Sequence, residues 1–83
     1  MTRYKTQGTC AAYIDFTVED GKVTDVIFIG GCEGNQKGIA TLVEGLPVDE
    51  VIEKLQGLTC HSKGTSCPDQ LAQALIDYKE GLL

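Results

Sequence analysis

The sequence predicts an α+β fold: a two- or three-stranded antiparallel sheet covered on one face by three helices. Three observations carry this. Apolar residues alternate with period two over residues 9–18. A turn signal at Glu19-Asp20-Gly21-Lys22 leads straight into a second apolar run. The rest of the chain carries apolar residues at helical spacing, punctuated by Gly and Pro. The 83 residues make one domain, 1–83. A chain of this length buries only about 60% of the surface that its unfolded form exposes.

At the N-terminus, Arg3 to Gln7 is a candidate third strand on the far side of Gly8. In the next strand Cys10, Ala12, Ile14, Phe16 and Val18 share one face, and Thr9, Ala11, Tyr13, Asp15 and Thr17 the other. Val23 to Gly30, with Val26-Ile27-Phe28-Ile29 at its centre, is the returning strand. A two-residue Asp20-Gly21 turn sets Phe16 opposite Asp25. A three-residue Glu19-Asp20-Gly21 loop, with Gly21 left-handed in a bulge, pairs Phe16 with Thr24, Ile14 with Val26, Ala12 with Phe28 and Cys10 with Gly30. The second register keeps one face apolar and is preferred. It also brings Cys10 beside the backbone that leads into Cys32.

Glu33-Gly34-Asn35 is expected to be a loop, with Asn35 the N-cap of the first helix. Ile39, Leu42, Val43 and Leu46 follow at helical spacing, and Gly45 is the expected stop. Pro47 opens a second helix, with Val48, Val51, Ile52 and Leu55 on one face and Gly57 at its end. Leu58 to Thr65 reads as a loop holding Cys60 and His61. Ser66-Cys67-Pro68-Asp69 starts the third helix, with Ser66 and Asp69 as a capping box. Leu71, Leu75 and Tyr78, flanked by Ala72, Ala74 and Ile76, form its buried face, and Gly81 closes it.

Lys plus Arg number 7 and Asp plus Glu 12, a net charge of −5. An acidic chain without a basic run is a poor partner for nucleic acid or an anionic membrane. No apolar run approaches the roughly 18 residues of a membrane span. The start, Met1-Thr2-Arg3-Tyr4-Lys5-Thr6, lacks the apolar core of a signal peptide, so a cytoplasmic location is expected. Monomer and homodimer both remain open.

Four cysteines, Cys10, Cys32, Cys60 and Cys67, stand out in so short a chain. The gaps between them are 21, 27 and 6 residues, and none forms a Cys-x-x-Cys knuckle. In a reducing compartment such a set points to metal binding or thiol chemistry rather than to two disulfides. Cys32 lies in a Gly-rich loop before a helix, and Cys67 in the first turn of another. Helix N-termini present free N–H groups and partial positive charge, which favour a thiolate. Thiolates are both the nucleophiles and the metal ligands. Gly30, Gly31 and Gly34 allow the backbone to turn around Cys32 and offer N–H groups to sulfur. If the four cysteines converge on one end of the sheet, they suit tetrahedral zinc or an iron–sulfur cluster. The bland alternative is that cysteine behaves as a small buried hydrophobe, which fits Cys10 on the core face better than Cys32 or Cys67. A lone loop histidine such as His61 is read as solvated. Lys37 and Lys63 near the glycines give only a weak nucleotide signal, because Gly30-Gly31-Cys32-Glu33-Gly34 is neither a dinucleotide fingerprint nor a Walker A loop.

Thr65-Ser66-Cys67-Pro68-Asp69 resembles the five-residue signature of the TSCPD domain family. The resemblance runs through Cys10, Gly30-Gly31-Cys32, Gly34-Asn35, Gly38-Ile39 and Cys60 to Gln70-Leu71-Ala72, almost the whole chain. It implies a small stand-alone protein related to the C-terminal domain of vitamin B12-dependent ribonucleotide reductases. It also implies association with that system and a cysteine-based site. Ribonucleotide reduction itself needs a large barrel that 83 residues cannot build.

A weaker resemblance is to the U-type iron–sulfur cluster scaffold proteins, which also run hairpin, Gly-Cys loop, helices, then a cysteine at the start of a final helix. Cys10, Cys32 and Cys67 are similar to their three scaffold cysteines. Leu46-Pro47-Val48-Asp49-Glu50-Val51 and Ala74-Leu75-Ile76-Asp77-Tyr78-Lys79 match stretches of their helices. Ala12 stands where those scaffolds have an aspartate, Ser66 where they have a histidine, and Cys60 has no counterpart. In one reading Cys60 takes the place of the lost fourth ligand.

These readings lead to a four-cysteine site with zinc as first choice and an iron–sulfur cluster second. The expected partner is ribonucleotide reductase or a cluster donor. Two competing classes remain: a thiol relay or sulfur acceptor with Cys32 and Cys67 as its reactive thiols, and a nucleotide-sensing module acting in trans on the reductase.

Overall fold

Asp20-Gly21 is the pair that two-residue hairpin turns favour, because both central residues of a type I′ turn need positive φ. The computed structural model, which describes residues 1–8, 11–30, 33–58 and 66–83, has that turn: φ is 52° at Asp20 and 76° at Gly21. It joins β2 (Tyr13–Glu19) to β3 (Lys22–Ile29). The strand β1 (Thr2–Lys5) pairs antiparallel with β2 on its other side, giving the order β1-β2-β3. The third strand expected near the N-terminus is therefore present.

The expected register of the hairpin is corrected. Glu19 pairs with Lys22, Val18 with Val23 and Thr17 with Thr24; beyond a bulge, Asp15 pairs with Ile27, Ile14 with Phe28 and Tyr13 with Ile29. Phe16 thus faces both Asp25 and Val26, and the three-residue loop with its Phe16–Thr24 and Ile14–Val26 pairs does not form. The physical reason lies in Val23 and Val26. Three residues apart, they cannot share a face of a regular strand. One extra residue between them lets both turn inward. Asp25 supplies it, in a left-handed conformation at φ 53°, and its N–H donates to Glu44 Oε1 at 3.0 Å. Ala12, expected to face Phe28 within the strand, lies just before β2, and its N–H donates to Ile29 O at 2.7 Å.

Three helices follow: α1 (Glu33–Val43), α2 (Val48–Leu55) and α3 (Cys67–Lys79). Helix α1 begins at Glu33, so Asn35 is its third residue and not its cap. The first turn makes few bonds of its own, and weak helix formers such as Gly34 are tolerated there. Leu42, assigned to the buried face, is instead 78% exposed. The packed face is Gln36, Ile39, Ala40 and Val43, an i, i+3, i+4, i+7 stripe that leaves Leu42 to one side. Gly45 ends the helix as expected. At φ 79° it takes the left-handed position that favours glycine.

The segment between α1 and α2 closes the outer edge of β3. Val23 donates to Leu46 O at 2.8 Å, Gly45 to Val23 O at 2.7 Å and Val48 to Gly21 O at 2.9 Å. Ile14, Phe16, Val23, Val26, Val43, Val48, Val51, Leu71, Ala74 and Leu75 form one core between the sheet and the helices. Tyr78 meets Phe16 edge-on, with ring centroids 6.0 Å apart. The other sheet face carries Arg3, Tyr13 and Asp15. Arg3 grips the Asp15 carboxylate with two bonds of 2.7 and 2.9 Å and lies over the Tyr13 ring at 5.1 Å.

Candidate metal centre

Of the four predicted ligands, Cys67 lies within the described residues; Cys10, Cys32 and Cys60 lie outside them, as do Gly31, His61 and Lys63. Cys67 is a free thiol, half-buried, and the first residue of α3. Ser66 caps that helix: its Oγ accepts from Asp69 N at 3.1 Å and donates to Leu58 O. Pro68 fills the early position where a missing N–H costs nothing. The carboxylate of Asp69 has a tertiary use that its place in a capping box did not predict. Its Oδ1 accepts from Gly57 N at 2.7 Å, which fastens the end of α2 to the start of α3.

The Cys67 sulfur receives a hydrogen bond from Gln36 Nε2 at 3.8 Å. Gln70, one turn further along α3, accepts from Gln7 N at 3.0 Å through its Oε1. Thr6 closes the turn after β1: its N–H donates to Ala12 O at 3.2 Å and its hydroxyl to Ala11 O. Gln36, Gln70, Ser66, Asp69 and Thr6 are all buried. A buried polar group is costly unless it is bonded, and these groups bond to one another's segments. They gather the end of β1, the start of β2 and the first turns of α1 and α3 at one end of the sheet.

Sequence reasoning named Ser66 and Asp69 as a cap but gave no role to Gln36, Thr6 or the Gln70 amide. The available signal was Gln36 itself, a polar residue three positions before Ile39 on the apolar face of α1. Gly34 sits in the first turn of α1, where backbone N–H groups lack intrahelical acceptors. Lys37 is exposed on the same helix, beside a cavity of about 300 Å³ between β3 and α1. On β1, burial pushes the Tyr4 phenol up, and the charges of Asp77 and Asp69 add to that.

Among the described residues, no group of three His, Cys, Asp or Glu side chains is arranged to hold a metal. Cys67 places a soft sulfur at a helix start, where it accepts a hydrogen bond from Gln36, and a thiolate is a ligand type that zinc and iron–sulfur clusters use. Among the described residues, no helix is long and apolar enough to cross a membrane.

Comparison with curated proteins and with solved structures returned no match. The family model of the TSCPD domain matches residues 2–79, from the first strand to the end of the last helix. The protein therefore belongs to the TSCPD domain family.

Proposed function

We propose that Cys10, Cys32, Cys60 and Cys67 together hold one metal centre, zinc or an iron–sulfur cluster. One observation carries the reading: described residues close in sequence to all four cysteines are bonded to one another. Ala12, two after Cys10, is joined to Ile29, three before Cys32. Gln36, four after Cys32, is joined to Cys67 itself. Leu58, two before Cys60, is joined to Ser66, and Gln7, three before Cys10, to Gln70. The three connections that carry the other cysteines therefore leave from one region, next to Cys67.

The residues have divided tasks. The four sulfurs would hold the metal as thiolates, with four negative charges. The partial positive charge at the N-termini of α1 and α3 offsets part of that charge. Bound zinc or iron would offset more and would tie the four cysteines to one another. Such a tie contributes folding free energy, about 10 kcal/mol or more in apparent terms for structural zinc. A chain with so small a core gains much from it. The TSCPD domain is known from the C-terminal region of ribonucleotide reductases. That supports a role in trans beside such a reductase, or in the cluster and sulfur supply that serves one.

Elemental analysis and a visible absorption spectrum of protein purified without air test the reading. About one metal ion or one cluster per chain is expected, lost in Cys60→Ser and in Cys67→Ser. Metal-free protein with four freely alkylated thiols would overturn it. A reversible disulfide between Cys32 and Cys67 in such protein would favour the thiol relay instead.

A further inference from the structure

Gln36 is the polar member of the packed face of α1, and only 6% of its surface is exposed. On one side it borders the cavity between β3 and α1, which is otherwise walled by Val26, Ile27, Phe28, Lys37 and Ala40. On the other, its Nε2 donates to the Cys67 sulfur at 3.8 Å. Packing alone does not account for an amide there, since a leucine or methionine would fill the same space without a polar group to satisfy. The described side-chain bond of Gln36 goes to the sulfur. Groups of this kind orient a ligating side chain and draw electron density from it.

We propose that Gln36 is a positioning residue of the cysteine site, whose side-chain N–H orients the Cys67 sulfur toward the metal and tunes its donor strength. The inference rests on the metal-centre reading above. In metal-bound protein the thiolate of Cys67 accepts the bond, so its lone pairs lie lower in energy than those of a free thiolate. Removing the donor raises them and leaves the sulfur less well oriented.

The test uses the full chain, reduced and stripped of metal, titrated with Co²⁺ without air. The readouts are the dissociation constant and the sulfur-to-cobalt charge-transfer band. Gln36→Met keeps the volume and removes the donor; Gln36→Asn keeps an amide that cannot reach as far. In both, Co²⁺ should bind about 10-fold or more weakly, the usual scale for losing an outer-shell partner. The band should also move to longer wavelength, which a merely structural role would not cause. Binding and band position unchanged in either folded variant would overturn the role of Gln36 and leave the metal reading standing. Failure of the unsubstituted protein to bind Co²⁺ would overturn both.

Discussion

Ser66 holds two segments with one hydroxyl, and its removal has a calculable cost. In Ser66→Ala, the N–H of Asp69 loses the oxygen that accepts it at 3.1 Å, and Leu58 O loses its donor. Loss of a serine N-cap costs about 1 kcal/mol. Loss of the second bond costs about 0.5–1.5 kcal/mol. It belongs at the lower end, because Leu58 is 49% exposed and water can take the vacated site. The sum is about 1.5 kcal/mol. In a domain of this size each kcal/mol moves the midpoint of thermal unfolding by about 4–8 °C, so a fall of roughly 6–12 °C is expected. The measurement is thermal and urea unfolding with a chelator present, so that metal binding does not add to apparent stability. Ser66→Asp separates the two bonds: the carboxylate still caps the helix but has no proton for Leu58 O, and it should lose about a third as much. A loss below about 0.5 kcal/mol in Ser66→Ala, the range of an ordinary surface change, would refute the account of the cap.

Three further outcomes follow from the geometry. Asp25 sits at φ 53°, where an L-residue is strained by about 1–2 kcal/mol; Asp25→Gly should therefore unfold at a higher denaturant concentration than Asp25→Ala. The Arg3 guanidinium, bonded to Asp15, holds that carboxyl below its ordinary range. Its stabilisation is thus complete above the unfolded value of about 3.9 and is lost as pH falls through the lower folded value. Unfolding curves of Arg3→Met and the unsubstituted protein should differ at pH 7 and converge in acid. Leu71 is fully buried, so Leu71→Ala should cost about 2–5 kcal/mol. The same change at exposed Leu42 should stay within about 0.5 kcal/mol, as read by urea unfolding.

The legible features were those whose causes are local. Pro47, Gly45, Gly57 and Gly81 bound helices at the positions their backbone preferences dictate, and Ser66 caps α3 because its hydroxyl needs only the next turn. The hairpin shows where local reasoning stops. Asp20-Gly21 marked a two-residue turn, and the period-two pattern argued against it; the resolution was a bulge at Asp25. Only packing against Phe16 made it favourable to bury both Val23 and Val26. Leu42 fails for the same reason: helical spacing allows several apolar stripes, and contact with β3 selects the one through Gln36, Ile39, Ala40 and Val43.

By itself, the sequence determined the α+β class, the order of strands and helices, the TSCPD resemblance that the family match bears out, and the position of Cys67 at a helix start. These rest on periodicity, turn chemistry and a motif, all of which act over a few residues. The tertiary structure decided the register of the hairpin and the face of α1 that packs. It also decided the bonds from Gln36 to Cys67, from Gln7 to Gln70 and from Gly57 to Asp69. Those bonds join residues 12 to 63 positions apart. Their formation depends on which polar groups the closing core leaves without water, and no stretch of sequence contains that information until the chain has folded.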